Sequence, residues 1–173
     1  SELQHVIKDV TVGLQEYRLS EVGGRLYSFV WVFYCDWYLE LSKGTANLSV
    51  LVHVLRTMLQ LLHPYCPFVT EELWATLKPK DAGMLMKEVW PAVDEKLIDT
   101  DAQAEMQTLI ACIQAIRKLR TEQSVDSKKE VAVIIVAPKQ SALLESQEAH
   151  IKRMGKVESL TIQTKAGQHK DVA

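Results

Sequence analysis

The chain has 173 residues, 47% hydrophobic and 24% charged, with a net charge of −2, a balance that fits a folded globular chain and excludes intrinsic disorder. No apolar run is long enough to span a bilayer, and no basic start precedes an apolar stretch with a cleavage site, so no membrane contact is expected and the chain reads as cytoplasmic. The slightly acidic total argues against a protein that holds nucleic acid by general positive charge.

In chain order, Leu3, Val6, Ile7, Val10 and Leu14 recur at spacings of three and four and predict a first helix within residues 1–17. Ser20 is placed to cap a second helix, whose apolar stripe runs Val22, Leu26, Phe29, Phe33, Trp37 and Leu41. Gly23 and Gly24 weaken its first turn while letting a neighbouring backbone come close, and Gly44 is expected to end it after Lys43. A third helix carries Leu48, Leu51, Val52, Leu55, Met58, Leu59 and Leu62 and stops at Pro64. In "HPYCPFVTEELW" (63–74), Pro64 and Pro67 set a rigid corner that Phe68 is expected to anchor. Thr70, Glu71 and Glu72 read as the capped, acidic start of a fourth helix bearing Leu73, Trp74 and Leu77.

Residues 78–99 read as a surface connector held down by Trp90. Thr100-Asp101-Ala102-Gln103 fits a capping box, and Met106, Leu109, Ile110, Ile113 and Ile116 give a long helix to about Glu122. The period then changes. "VAVIIVA" (131–137) predicts a strand buried on both faces, Ser141–Met154 a helix, and "SLTIQT" (159–164) a second strand. The expected architecture is mainly α: a helical bundle over residues 1–126 and a small β-α-β appendage over residues 127–173.

Charge follows this organisation. Residues 1–70 hold five Lys and Arg against six Asp and Glu, and residues 71–105 hold four against nine. Residues 106–137 hold five against three, and residues 138–173 six against four. The acidic excess therefore sits in the connector, and both later segments are mildly basic.

Catalytic and metal-binding patterns are missing. Cys35, Cys66 and Cys112 are an odd, scattered set without a C-x-x-C pair, which reads as reduced thiols, and His63 with Cys66 has zinc-like spacing but no second ligand pair. No glycine-rich phosphate loop or nucleophile triad is visible, so no catalytic residue and no metal are expected. "FYCDWYLELSK" (33–43) admits three readings: a reactive cysteine, an aromatic platform for nucleic-acid bases, or core. Cys35 has no histidine base on its own segment, and Phe33 with Trp37 continues the apolar stripe. That favours a packing helix, with Tyr34 and Tyr38 as the exposed pair and Asp36 as an acid in need of a partner. "AIRKLR" (115–120) sets Arg117 and Arg120 one turn apart. A solvated edge, a buried ion pair with Asp36 and a phosphate contact all fit.

"WVFYCDWYLELSK", "LLHPYCPFVTEELWATL", Trp90-Pro91, "IQAIRKLRTEQSV" and "GKVESLTI" occur in this order between about Tyr17 and Ile162. Together they resemble the anticodon-binding region of the valyl-tRNA synthetases, class I aminoacyl-tRNA synthetases. The H-P-x-x-P-F element is shared with leucyl and isoleucyl enzymes, whereas C-D-W-Y-L-E with I-R-x-L-R points to the valyl ones. The resemblance implies a non-catalytic helical module whose partners are a valine-accepting tRNA and the rest of a synthetase chain. The catalytic Rossmann domain, which uses ATP and Mg, and the editing domain are expected upstream, and a coiled-coil arm downstream. No cofactor is expected of this chain itself, which is expected to be monomeric. Lys43, Arg117 and Arg120 are the implied candidates for tRNA contact, Arg117 leaning to a structural role and Arg120 to an RNA-facing one. A leucyl- or isoleucyl-type domain, and a synthetase-derived module that binds protein, are the alternatives.

Overall fold

The computed structural model describes residues 1–43 and 47–165. It shows two compact units, Ser1–Asp99 and Thr100–Ala173. The expected Gly44 terminator lies outside the described residues.

The first unit contains α1 (Glu2–Gln15), α2 (Leu19–Tyr27), a π-helical stretch (Ser28–Leu39), the short α3 (Glu40–Ser42), α4 (Leu48–Leu62) and α5 (Pro67–Leu77). Leu3, Val6, Ile7 and Val10 of α1 pack with Val22, Leu26, Phe29 and Tyr34 and with Met58 and Leu61 of α4. Two expectations for α2 shift. It begins at Leu19, so Ser20 lies inside its first turn and makes no capping bond. The close backbone approach is at Gly13 of α1, where a Cβ would lie 2.4 Å from Val22 Cγ2, and not at Gly24, which has open space around it.

The π-helical stretch changes which aromatics face inward. Its hydrogen bonds span five residues instead of four, so a stripe counted at i+4 drifts off the buried face. Phe29, Trp37 and Leu41 are buried as expected, but Tyr34 is buried too, at 6% exposure, while Phe33 is only half-buried. Tyr34 and Tyr38 are therefore not the exposed pair. Their rings tilt against each other with centroids 5.9 Å apart, and burial pushes both phenols above their ordinary pKa.

The proline corner also differs from its sequence reading. α5 starts at Pro67, three residues before Thr70, because proline at the first helical position brings the right φ and has no N–H to leave unsatisfied. Thr70 becomes an interior residue, 1% exposed, with its hydroxyl near the Cys66 and Pro67 carbonyls and His63 Nδ1. Phe68 falls on the open side and is 91% exposed, so it does not anchor the corner. Trp74 does the anchoring. It is buried with Leu59 and Leu85, and its indole N–H donates to the Gly83 carbonyl at 3.2 Å. The connector beyond is strapped down: Trp90 Nε1 donates to Thr11 Oγ1, and the Asp94 N–H donates to Gln4 Oε1.

The second unit contains α6 (Thr100–Glu122), β1 (Val131–Val136), α7 (Ser141–Ser146), α8 (Glu148–Gly155) and β2 (Val157–Gln163). β1 and β2 pair in parallel, with Val133 opposite Leu160 and Ile135 opposite Ile162, so the β-α-β unit forms as expected with its helix divided at Gln147. β1 is not buried on both faces. Val131, Val133 and Ile135 are half-buried while Ile134 and Val136 are exposed, because a sheet of two strands has helices on one face only. α6 belongs with this unit because its last turns pack on it. A Cβ at Gly155 would lie 3.3 Å from Ile116 Cγ2 and 3.2 Å from Val157 Cγ2.

Candidate nucleic-acid interface

Phosphate recognition needs cations that are not already neutralised, so the partners of each basic residue decide where an interface can lie. In the first unit the arginines of the α1–α2 hairpin and Lys43 are held by carboxylates. Arg18 pairs with Glu16 and Glu21, and Arg25 with Glu2 and Asp9 at 2.9 Å each. Burial alone would lower the Arg25 pKa, but the two carboxylates outweigh it and hold the value up. Lys43, the first sequence candidate, donates to both oxygens of Glu40 at 2.6 and 2.7 Å. Asp36 is exposed and needs no buried partner. Cys35 is half-buried against the core, and burial raises the pKa of Cys112, which keeps that thiol protonated. Among the described residues no group of three or more His, Cys, Asp or Glu could hold a metal ion.

In the second unit Lys118 and Lys152 also pair with carboxylates, but the cations around the end of α6 are held differently. α6 ends in a Schellman-type turn: Val125 N–H donates to the Arg120 carbonyl, Ser124 N–H to that of Thr121, and Ser124 has φ 51°. The chain then folds back so that the Arg120 guanidinium meets three carbonyls. Its Nη1 donates to Lys156 O at 3.2 Å, and its Nη2 to Asp126 O at 3.0 Å and Lys129 O at 2.7 Å. Lys156, in the left-handed region at φ 54°, sends its ammonium to the Ser127 carbonyl at 2.6 Å. Arg117 Nε donates to the Met154 carbonyl at 3.2 Å. A cleft of about 310 Å³ opens among Arg117, Arg120, Thr121, Ser127 and Lys156.

Carbonyl partners fix Arg120 and Lys156 without cancelling their charge, so this cleft keeps a positive field that the α1–α2 hairpin does not. The unit totals agree: residues 1–99 carry nine Lys and Arg against thirteen acids, residues 100–173 eleven against nine. The structure brings Arg117 and Arg120 into one cleft and leaves Lys43 in the other unit. Sequence reasoning missed Ser127, Lys128, Lys129 and Lys156. Asp126-Ser127 ahead of two lysines, between a helix and a strand, is the turn composition that would have found the first three. The left-handed Lys156 gives no such signal.

Residues 1–135 match the family described as the anticodon-binding domain of tRNA ligase. The chain belongs to that family. Over 95% of its length the domain is 35% identical to a valine–tRNA ligase of Bacillus cereus, and over 94% it is 35% identical to one of Listeria innocua and 33% to one of a Synechocystis species. In each case it covers 20% of the relative, so it spans about a fifth of the length of the curated relatives it matches. No helix among the described residues is long and apolar enough to cross a membrane.

Proposed function

We propose that this domain binds the anticodon stem-loop of a valine-accepting tRNA as a non-catalytic module of a valine–tRNA ligase. The observation that carries the reading is that relatives aligned over nearly the whole domain bear that one name. The carbonyl-bound cations of α6 and Lys156 supply the field a polyanion needs. In this reading the ATP and Mg chemistry of aminoacylation belongs to the catalytic domain of the parent enzyme, which works in the cytoplasm. The domain contributes affinity and orientation to it as a monomer. Lys43, Arg117 and Arg120 are its first candidates for tRNA contact, and of these the two arginines share the cation-rich cleft.

A gel shift with valine-accepting tRNA beside a noncognate tRNA, at two salt concentrations, tests the reading. The expected outcome is tighter binding of the cognate species, weakening steeply as salt rises. Equal, salt-insensitive retention of both would overturn it. Neither aminoacylation nor ATP–pyrophosphate exchange is expected of the domain alone, and exchange above a protein-free blank would contradict its non-catalytic assignment.

A further inference from the structure

We propose that the turn Asp126–Lys129 is the segment of this domain that meets RNA phosphates, through Lys128 and Lys129, and that Arg120 is the positioning residue that holds the turn in place. The inference rests on the tRNA-binding reading and assigns roles within it.

The turn is closed twice over. Asp126 Oδ1 accepts the Lys128 N–H at 2.7 Å and the Asp126 carbonyl accepts the Lys129 N–H at 3.1 Å. The carbonyls of residues 126, 127 and 129 are then each taken by a cation, Arg120 or Lys156. The Lys156 carbonyl receives both Arg120 Nη1 and the Val131 N–H, so the same guanidinium ties the turn to the point where β1 joins β2. With its backbone fixed, the turn presents Lys128 and Lys129 exposed, and among the described residues neither ammonium has an ion-pair partner. The turn's one acid has an oxygen engaged by its own backbone. A preformed, cation-bearing turn loses little entropy on meeting a phosphodiester, whereas a loose loop loses more. Only an arginine can do the holding, because its planar guanidinium reaches two segments at once while an ammonium offers a single point of charge.

The test compares the wild-type domain, a Lys128→Gln/Lys129→Gln double variant and Arg120→Lys. The readouts are affinity for valine-accepting tRNA across a salt series, amide hydrogen exchange over residues 126–130, and thermal melting. The double variant should bind more weakly and reduce the slope of log K against log salt by about 1.5 units, for two lost contacts, with an unchanged melt. Arg120→Lys keeps the charge, so its slope should stay while its affinity falls and exchange in the turn accelerates. An unchanged slope in the double variant, with wild-type protein binding normally, overturns the phosphate contact alone. Wild-type affinity and protection in Arg120→Lys overturn the positioning role. A wild-type domain that binds no tRNA overturns the domain reading itself, and this contact with it.

Discussion

Phe68 and Trp74 stand six residues apart in one motif and have opposite fates. Trp74 is 4% exposed and donates its indole N–H to Gly83, whereas Phe68 is 91% exposed. Trp74→Ala should therefore cost about 3–5 kcal/mol, and Phe68→Ala should fall within about 0.5 kcal/mol of wild type. Thermal melts of the two variants check this, and equal losses would show that Phe68 is covered. The sequence made both residues readable as apolar, but their direction depends on where α5 starts, and a helix that opens on Pro67 turns Phe68 outward. Tyr34 is a second case in which direction was illegible. Its buried phenol holds its proton more tightly in the native state, chiefly through desolvation. The stability it contributes is fully present below the free value of about 10 and is lost as pH rises through the higher native value. Tyr34→Phe should flatten the alkaline fall in denaturation midpoint measured between about pH 9 and 11.

At the level of elements, every helix the sequence announced by its apolar period exists, since that period follows from burial of one face. What remained hidden was set by partners distant in the chain. Gly13 is the sharpest example: alone it looks like a flaw in α1, yet it is where Val22 comes to rest. A methyl group there would sit 2.4 Å from Val22 Cγ2, too close for either backbone to ignore. Gly13→Ala gains about 1 kcal/mol of helix propensity and loses about 1–3 kcal/mol to overpacking, so its melting temperature should drop. In a Val22→Ala background the clash is gone and the same change should raise the melting temperature. A drop of equal size in both backgrounds would place the cost somewhere other than this contact. Strand β1 was misread for a related reason, because a β-branched run does not reveal how many layers cover it.

Over the whole chain, charge was legible from composition, and its meaning was not. The acidic connector and the basic later segments are visible in a count, but the count cannot distinguish an arginine neutralised by Glu2 and Asp9 from one held by three carbonyls. That distinction puts the candidate site in residues 100–173, while residues 71–99 carry the acidic excess. Asp81, Glu88 and Glu95 stand in that stretch, which holds four Lys and Arg against seven Asp and Glu. If they act only through the field, Asp81→Asn/Glu88→Gln/Glu95→Gln should raise the association rate for tRNA and leave dissociation alone, since distant charges steer encounter more than they hold a complex. The gain should be clear at about 0.01 M salt, where the screening length is near 30 Å, and fade by about 0.15 M, where it is near 8 Å. Stopped-flow kinetics at the two salt concentrations measures both rates. A change confined to dissociation, or one that persists at the higher salt, would mean that the connector lies inside the contact with tRNA.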